Sequence, residues 1–419
     1  MGLNRKVKPV EEPGVISLHS RCNQLEAEGK KIYRFAFGLS PFPLPQIVRN
    51  GLANYQASEA FVPVLGKPEL REAIAQFYQH SYGLATKASE VLIGPGSKSL
   101  LFLLEYAFDG DILIPTPSWV SYSPMAKLTG RKVQWIHTTQ ASGWKLSAEQ
   151  IKEAAQQNPE RPKILLLNSP SNPTGSVYSL AELKKLAETA RDCKMLLYSD
   201  EIYSRLQYDG NHMSIAQFYP EGTLISGGVS KWAGGGALRI GYLIVPKQQK
   251  ELSEALSLLM LESFAATSGP IQDAVLPLFE QHEEVEQYLH QSRRILKALS
   301  RELEEMLRNS NLLFSKPEGG FQLLLNFENY RMELSRKGIY SSEDLCKKLL
   351  DQTGIALLPG TELGCQHSLL VARLCFVNFD GAKALEAAGE KEVDTSFLLK
   401  YCWESIEGVQ QLSKWLERL

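Results

Sequence analysis

The stretch GGVSKWAGGGALRIGY, residues 227–242, places one lysine, Lys231, between a serine and a run of glycines, with Arg239 eight positions further on. It joins two short apolar runs, TLISGG and IGYLIV, each typical of a buried strand. A lysine on such a loop is often a solvated charge, but a buried lysine shifts its pKa and serves as a nucleophile towards carbonyl groups. The stretch therefore indicates a candidate reactive lysine at the end of a strand.

Alternating strand and helix patterns extend outward from this loop. The earlier runs that we predict as strands are VLIG, DILIPT, KVQWI, KILLLN and MLLYSD, and helical patterns separate them. Two of these helices are expected to begin at Ser97 and Ser118. Such alternation predicts an α/β fold with a mostly parallel sheet covered by helices on both faces. We assign this large domain to about residues 51–290.

A second, smaller α+β domain is expected at residues 291–419. A long charged helical pattern leads into the apolar runs GGFQLLLNF, KLLDQTGIALLPG and LLVARLCFVNF and a last helix ending in LERL. These runs would give two or three strands with flanking helices. Residues 1–50 contain a helical pattern at 15–31 and a short strand at 32–38. We expect this N-terminal segment to pack on the smaller domain, because it precedes the alternating region.

Composition and charge exclude several classes of function. The net charge of −2, with both signs interspersed over 419 residues, gives no field that would attract nucleic acid or an anionic membrane. No apolar run approaches the roughly 20 residues of a membrane span, and the charged start MGLNRKVKPVEEPG lacks the apolar core of a signal peptide. The six cysteines have no zinc-type spacing, so no metal site is predicted. We expect a cytoplasmic protein whose partners are small molecules or a second copy of itself.

Ligands of open α/β sheets bind at the carboxyl ends of the strands, so the residues after each predicted strand are the candidates for a site. GPGSKS at 94–99 opens a helix, and the N–H groups of that helix start, with the Ser97 hydroxyl, suit an anion. Trp119 is an aromatic plate or a core residue, Asn172 a binding or a turn residue, and Asp200 a ligand or a helix N-cap. Each of these signals is ambiguous alone.

One ligand accounts for all of these signals together. Pyridoxal phosphate has an aldehyde for a lysine, a ring nitrogen that must stay protonated beside a carboxylate, and a phenolic oxygen that accepts hydrogen bonds. Its flat ring stacks on an aromatic side chain, and its phosphate suits a helix N-terminus with an arginine. The strand ends therefore predict a pyridoxal phosphate site.

The chain resembles the class I/II aminotransferases, which are pyridoxal phosphate enzymes of fold type I. The resemblance rests on SNPTG, DEIY, FVPVLGKPELREAIAQF, and SK followed eight residues later by R, and it extends from about residue 15 to the end. It implies a homodimer that moves an amino group between an L-amino acid and a 2-oxo acid in a ping-pong cycle. The glycines after Lys231 do not form a dinucleotide fingerprint, because they follow a lysine rather than open a helix after a first strand.

The resemblance also implies a role for each residue that contacts the cofactor's ring. Lys231 would bond the cofactor covalently and then carry a proton between the substrate and the cofactor. Asp200 would pair with the ring nitrogen, and Tyr203 and Asn172 would hydrogen-bond the phenolic oxygen. Trp119 would stack on the ring.

Phosphate and substrate contacts follow from the same resemblance. The phosphate would be held by Ser97, the backbone of Lys98, Ser230 and Arg239. Arg373, in LLVARLCF, would bind the α-carboxylate of the substrate as a two-pronged fork, assisted by the backbone N–H of Gly38. Because Arg373 and Lys231 belong to different domains, closure of the small domain on the substrate is expected.

Three positions depart from the family. Phe61 stands where the partner subunit commonly gives a tyrosine to the phosphate, Gly228 replaces a frequent serine, and GLSPF at 38–42 replaces the usual GEPDF. Two lost phosphate donors, at about 1 kcal/mol or more each, predict weaker cofactor retention. Phe42, Phe61 and Tyr122 are candidates for holding an apolar substrate side chain, or else core or dimer-interface residues.

Two other functions remain open on the residues alone. A pyridoxal-phosphate-dependent C–S lyase, which eliminates at the β-carbon, would share every ring contact. It differs in releasing pyruvate and ammonia without a keto acid acceptor. A non-catalytic binding protein that keeps the fold is disfavoured by Lys231 and by the fifteen or so residues before the first helix, too few for a helix-turn-helix domain.

Overall fold

Seven strands form the larger of two sheets in the computed structural model, which describes residue 2 and residues 14–56, 61–280 and 282–419. Its strands are β1 (Val91–Gly94), β2 (Asp111–Thr116), β3 (Lys132–His137), β4 (Lys163–Asn168), β5 (Leu196–Asp200), β6 (Thr223–Gly228) and β7 (Gly241–Ile244). Their order is β1-β7-β6-β5-β4-β2-β3. Strand β7 is antiparallel to both of its neighbours, and all the remaining pairs of neighbouring strands are parallel. The predicted mostly parallel sheet is confirmed.

The register of the central strands brings their carboxyl ends to one edge of the sheet. Asn168 at the end of β4 is level with Asp200 at the end of β5, and Asp200 is level with Ser226 in β6. The three strands consist mainly of consecutive buried residues, as expected for parallel strands between two layers of helices. The loops that follow them therefore meet at the same place.

Helices cover both faces of this sheet. The N-terminal helix is α1 (Gly14–Ala27). The helices that follow it are α2 (Gln46–Ala53), α3 (Pro68–Tyr82), α4 (Ser97–Ala107), α5 (Tyr122–Thr129), α6 (Ala148–Gln156), α7 (Leu180–Asp192), α8 (Lys250–Ser263) and α9 (Gly269–Val275). Successive strand residues point to opposite faces. Ile164 and Leu166 of β4 accordingly pack with α4, α5 and α8, whereas Leu165 and Leu167 pack with α6 and α7.

The smaller sheet has four antiparallel strands in the order β10-β11-β9-β8 within the described residues. They are β8 (Leu313–Phe314), β9 (Gln322–Asn326), β10 (Leu358–Pro359) and β11 (Val371–Cys375). The helices of this region are α10 (Glu283–Leu307), α11 (Arg331–Arg336), α12 (Ser342–Thr353), α13 (Gly381–Glu390), α14 (Thr395–Tyr401) and α15 (Trp403–Leu416). The expectation of two or three strands is wrong, because β8 and β10 have two residues each and are too short for a sequence pattern to reveal.

The N-terminal segment contacts the smaller sheet. The Tyr33 N–H donates to Gly354 O at 2.9 Å, and the Cys375 N–H donates to Phe35 O at 2.7 Å. The buried side of α1 packs in one apolar cluster with residues of β9, β10 and α12. These contacts bring the segment that carries Gly38 beside β11.

The strand predicted at 32–38 is absent from the described residues except for one bridge, between Tyr33 and Ile355. The N–H groups of Phe35 and Phe37 turn back to carbonyls two or three residues earlier in the chain, which prevents a regular ladder. Local hydrogen bonding thus overrides the alternation of apolar residues.

The helix predicted from Ser118 begins instead at Tyr122, the first residue of α5. The Ser118 N–H donates to Leu363 O, in the segment after β10, at 3.0 Å, so this hydrogen bond fixes the chain before the helix begins. Pro124, which lacks an N–H, fits the first turn of the observed helix, where no intrahelical acceptor is available. Helices α2, α8 and α9 are not predicted from the sequence.

Several findings concern the chain as a whole. None of the helices in the described part of the chain combines the length and the apolar character that a membrane span needs. In the same ranges no group of three His, Cys, Asp or Glu residues could hold a metal ion. All six cysteines are unpaired. The charged start at 1–14, on which the signal-peptide prediction rests, lies outside the described residues except for residues 2 and 14.

Glu105 in α4 leads to a prediction about stability. Its side chain is 0% exposed, and neither carboxylate oxygen has a hydrogen-bond partner among the described residues. Burial raises the pKa of Glu105 to about 9, far above the value of an exposed glutamate. The folded protein therefore holds a proton there that the unfolded chain releases above about pH 4.3.

Stability is expected to fall as the pH rises from about 5 to 7, by about 1.4 kcal/mol per unit from this group, and Glu105→Gln removes that slope. Urea unfolding of both proteins across this range measures the effect. Glu188→Gln, at an exposed position of α7, is the matched control and keeps the wild-type slope. Parallel curves for Glu105→Gln and wild type would contradict the burial of an unpaired acid.

Candidate active site

Lys231 lies on the loop after β6, at the edge where the strand ends meet. The loop is tightly confined, since a Cβ at Gly234, whose φ is 62°, would lie 2.2 Å from Phe42 O. Lys231 Nζ donates a hydrogen bond to Gly38 O at 2.6 Å. Burial lowers the pKa of Lys231 to about 8, although the nearby Asp200 opposes this shift. The amine can therefore gain and lose a proton close to neutral pH.

Asp200 ends β5 and points into the same region. Its Oδ2 accepts a hydrogen bond from the Tyr122 hydroxyl at 2.6 Å, and its Oδ1 accepts one from the Ile202 N–H at 3.2 Å. Burial raises the pKa of Asp200 to about 6, and the bond from Tyr122 opposes that increase. The carboxylate is thus ionised at neutral pH by a narrow margin.

A chain of hydrogen bonds joins the large sheet to Arg373 of β11. Asn168 at the end of β4 donates to Asp200 O at 2.8 Å and accepts from the Asn172 N–H at 2.7 Å. Asn172 Oδ1 accepts from Arg373 Nη1 at 2.9 Å, and Arg373 Nη2 donates to Ala36 O at 2.7 Å. Arg373 Nε is buried without a partner among the described residues. Two hydrogen bonds thus fix the guanidinium, and its Nε–H is still free to donate to a ligand.

Tyr203 is buried three positions after Asp200, with its ring edge-on to Phe321 at a centroid distance of 5.4 Å. Its hydroxyl lies near the side chain of Gln322 but makes no hydrogen bond of good geometry within the described residues. Burial raises the pKa of Tyr203, so the hydroxyl remains a proton donor. A buried hydroxyl without a partner is unusual and can serve a bound ligand.

The start of α4 and the side chain of Arg239 form a cradle for an anion. Helix α4 begins at Ser97 without a side-chain cap, which leaves its N–H groups available to a ligand. Arg239, in a left-handed conformation with φ of 53°, donates from Nη1 to Gly236 O at 3.0 Å and from Nη2 to Pro95 O at 3.3 Å. A Cβ at Gly96 would lie 2.2 Å from Arg239 Nη2 and would push the guanidinium aside, and the φ of 85° there also favours glycine.

These groups surround one cavity of about 210 Å³. Its lining residues are Ser97, Lys98, Trp119, Asn168, Asn172, Asp200, Ile202, Tyr203, Ser230, Lys231 and Arg239. Every residue predicted to bind the cofactor lies in this lining. Gly38 and Arg373, predicted to bind substrate, adjoin it through their hydrogen bonds to Lys231 and Asn172.

Two residues of the lining, Asn168 and Ile202, are not among the site residues predicted from the sequence. Asn168 is the last residue of β4, and a stricter search of the strand ends would have found it. Ile202 lies inside the DEIY segment and contributes an apolar side chain, for which the sequence gives no separate signal.

Phe42, Phe61 and Tyr122, candidates for holding an apolar substrate side chain, are absent from the cavity lining. Phe42 is buried and packs edge-on against Tyr288 and Phe379. Tyr122 is 2% exposed and donates its hydroxyl to Asp200, and Phe61 is 75% exposed. The core alternative therefore holds for Phe42 and Tyr122.

Known proteins resemble this chain over most of its length. The sequence model of the family "Aminotransferase class I and II" matches residues 33–388. Aspartate aminotransferase of Geobacillus stearothermophilus is 30% identical over 93% of this chain and 98% of the relative. Asparagine--oxo-acid transaminase of Streptococcus mutans is 28% identical over 88% of this chain and 93% of the relative.

Solved structures share the fold as well. Aspartate aminotransferase from Thermus thermophilus with maleate superposes with a TM-score of 0.82 and 28% identity, over 94% of this chain and 99% of the other. The Rhizobium meliloti enzyme gives 0.80 and 25% identity, over 96% of this chain and 99% of the other. The chain therefore belongs to the class I and II aminotransferases and is an enzyme of the transaminase type.

Proposed function

We propose that this aminotransferase uses pyridoxal phosphate, bound in the cavity around Lys231, to move an amino group from an acidic or amide L-amino acid to a 2-oxo acid. The observation that carries the proposal is the convergence of an amine, a carboxylate and a guanidinium, those of Lys231, Asp200 and Arg373, around one cavity and its border. Each of these groups matches a different part of the cofactor or the substrate.

The ring side of the cavity fits the cofactor. Asp200 offers a carboxylate, ionised at neutral pH, to the protonated ring nitrogen, and Trp119 offers an aromatic face to the ring. The unpaired Tyr203 hydroxyl and the Asn172 side chain are available to the phenolic oxygen. Lys231 lies in the same lining, so its amine can reach the aldehyde.

The other end of the cavity fits the phosphate. Bare N–H groups at the start of α4, the hydroxyls of Ser97 and Ser230, and the Arg239 guanidinium together favour a doubly charged anion. When bound, pyridoxal phosphate supplies an aldehyde that takes up amino groups and a ring that withdraws electrons from the substrate's α-carbon.

Lys231 has two tasks in this proposal. Its amine would hold the cofactor's aldehyde before substrate arrives, and once free it would accept and return the proton of the substrate's α-carbon. A pKa near 8 suits both directions, because the best acid–base groups have a pKa close to the working pH. Asp200 keeps the ring nitrogen protonated throughout, which maintains the electron demand of the ring.

The substrate's α-carboxylate is assigned to Arg373. Its fork of N–H groups can take a carboxylate in two parallel hydrogen bonds, with the backbone N–H of Gly38 as an additional donor. This requires the contact between Arg373 and Asn172 to open or to be shared with the substrate. The expected division at about residue 290, with residues 1–50 packed on the smaller domain, is part of the proposal, since Arg373 and Lys231 would then approach by domain closure.

The position and charge of Lys98 support the assignment of an acidic or amide amino acid as the substrate. Its Nζ lies 5.7 Å from the centre of the Trp119 ring, within the cavity lining. Burial lowers the pKa of Lys98, and the positive charge of Arg239 adds to this effect, so a second anionic group in the cavity would be stabilised there. Relatives named for aspartate and asparagine, and the Thermus thermophilus structure with maleate, point to the same substrate class.

The cofactor is expected to be held more loosely than in most of the family, because two phosphate donors are replaced. Gly228 cannot be changed back simply: a Cβ there would lie 2.9 Å from Ile240 O and 3.1 Å from Gly241 Cα. The backbone of Ile240 and Gly241, where β7 begins, thus takes the space that a serine would need.

Gly96→Ala tests the phosphate cradle. The added Cβ displaces the Arg239 guanidinium and is strained at a φ of 85°, so binding of pyridoxal phosphate is expected to weaken by about ten- to a hundredfold, the loss of one charge-assisted hydrogen bond. Pyridoxal without phosphate should bind the variant and the wild type equally. Gly83→Ala, with a φ of 65° and open space around it, is the matched control. Equal weakening of both ligands would contradict the cradle.

A homodimer in the cytoplasm completes the proposal. Phe61, Leu258 and Leu261 are exposed, and an apolar groove of about 580 Å³ between α4, α5 and the end of α8 adjoins Lys98. Surfaces of this kind mark interfaces between subunits. Light scattering should give twice the monomer mass, and a monomer at micromolar concentration would contradict the proposed homodimer.

The six unpaired cysteines suit a reducing compartment such as the cytoplasm, which cell fractionation can test.

The activity is tested by supplying pyridoxal phosphate, L-aspartate or L-asparagine, and 2-oxoglutarate. The proposal predicts that glutamate and the new oxo acid form in equal amounts, and only when 2-oxoglutarate is present. When an S-substituted L-cysteine is supplied instead, release of a thiol, pyruvate and ammonia without an acceptor would favour the C–S lyase. Turnover confined to aromatic or aliphatic amino acids would contradict the role of Lys98 while leaving the transaminase activity intact.

A further inference from the structure

Tyr122 connects two groups of the proposed cofactor site without lining the cavity. It is the first residue of α5, and its ring meets that of Trp119 edge-on at a centroid distance of 5.3 Å. Its hydroxyl donates to Asp200 Oδ2 at 2.6 Å, within the core of the protein. A single side chain thus touches both the aromatic plate and the carboxylate.

The surroundings of Asp200 make this hydrogen bond important. Among the described residues Tyr122 is the only one whose side chain donates a hydrogen bond to the carboxylate. The backbone N–H of Ile202 donates to the other carboxylate oxygen. The titratable groups around it are Tyr122 on α5, Tyr198 on β5, Glu201 and Tyr203 just after β5, and Lys231 after β6, and both Tyr198 and Tyr203 stay neutral because burial raises their pKa values. Glu201 opposes ionisation of Asp200, and Lys231 favours it.

We propose that Tyr122 is a positioning residue that acts through Asp200, keeping this carboxylate ionised and aimed into the cavity so that it can hold the ring nitrogen of the cofactor. The inference rests on the proposed function, since it concerns pyridoxal phosphate. It adds a residue of α5 that lies outside the cavity lining and that the sequence predicts as an apolar substrate contact or as a core or dimer-interface residue.

Electrostatics support this role. A phenol that donates to a carboxylate forms a short, charge-assisted hydrogen bond, which favours the ionised form. The pKa of Asp200 is already raised to about 6 by burial, so losing this donor moves the pKa towards or above neutrality. Burial raises the pKa of Tyr122 itself, so its hydroxyl keeps its proton and stays a donor.

Tyr122→Phe removes the hydroxyl and keeps the ring that packs on Trp119. Binding of pyridoxal phosphate to the cofactor-free protein is followed by quenching of tryptophan fluorescence between pH 5 and pH 8.5, which needs no turnover. We expect the pH midpoint of the affinity to rise by about one unit relative to wild type, which makes binding about fivefold weaker near pH 6 and about tenfold weaker near pH 5. The two affinities should converge at high pH, where Asp200 is ionised in both proteins.

Tyr198→Phe is the matched control. Tyr198 is equally buried and lies two residues before Asp200 on the same strand, but no hydrogen bond joins it to Asp200 in the part of the chain that the structure describes. Its removal should leave the midpoint unchanged. In an Asp200→Asn background, where there is no charge to maintain, Tyr122→Phe should produce no shift.

The possible results distinguish failure of the role proposed for Tyr122 from failure of the proposed function. If wild type fails to bind pyridoxal phosphate at any pH, the proposed function fails, and the inference fails with it. If wild type binds and Tyr122→Phe has the same midpoint, or shifts equally in the Asp200→Asn background, the inference is overturned and the function stands. If Tyr122→Phe does not fold, Tyr122 is a structural residue, and the inference is likewise overturned.

Discussion

Lys231→Ala is expected to reduce transamination by about 10⁴-fold or more while leaving the fold intact. The lysine provides both the covalent attachment and the proton transfer in the proposed mechanism, and a positioned acid–base group alone accounts for up to about 10⁴-fold. Removing this lysine should cost little stability, because burial disfavours its charged amine in the folded protein, which is also why its pKa is lowered. Initial rates with saturating substrates and circular dichroism measure the two effects.

Lys247→Ala is the control for that experiment. Lys247 is an exposed lysine that follows β7, distant from the cavity lining, and its removal should leave the rate unchanged. A Lys231→Ala variant that turned over within tenfold of the wild-type rate would rule out Lys231 as the proton carrier. It would also require another amine in the cavity, for which Lys98 is the candidate.

The second large effect is expected for Arg373→Gln. Truncating one partner of a buried, hydrogen-bonded charge pair costs about 2–5 kcal/mol, so kcat/KM for the amino acid should fall by about 30- to 5,000-fold, mostly through KM. Arg373→Lys keeps the charge but loses the fork, and it should fall between Gln and wild type. Cofactor absorbance in the absence of substrate should be unchanged in both variants.

Two results would contradict the role of Arg373. An unchanged KM would show that the α-carboxylate is bound elsewhere. Loss of cofactor binding in Arg373→Gln would mean instead that its contact with Asn172 at 2.9 Å maintains the cavity, since Asn172 is the neighbour that loses a partner.

The large sheet could be predicted because its strands are continuous apolar runs separated by clear helical patterns. The carboxyl ends of β4, β5 and β6 come together through strand register, and the strand-end rule therefore indicated Asn172, Asp200 and Lys231 without tertiary information. Family resemblance then supplied the expected roles of Arg373 and Gly38, which lie outside the large sheet and which no strand-end rule could have found.

Other features could not be predicted, for identifiable reasons. Helix α8 exposes Leu258 and Leu261, so its apolar residues do not form the single stripe by which an amphipathic helix is recognised. Residues 32–38 alternate like a strand, but their local hydrogen bonds and the packing of Phe35 determine their conformation.

Side-chain partners across the fold are the least predictable feature. Tyr122 has the sequence environment of a core aromatic, and only the tertiary structure brings its hydroxyl to Asp200. Glu105 lies in the last turns of α4 in a pattern that would suit an exposed acid, yet it is fully buried. In both cases the pairing of elements distant in sequence determines the chemistry.

The most direct test of the account is a single half-reaction. Protein loaded with pyridoxal phosphate is mixed with L-aspartate in the absence of any oxo acid, and the cofactor absorbance and the released oxo acid are followed together. The account predicts that one oxo acid forms per active site and the reaction then stops, with the absorbance restored when 2-oxoglutarate is added. No release of oxo acid on mixing, or a cofactor spectrum that no amino acid changes, would contradict it.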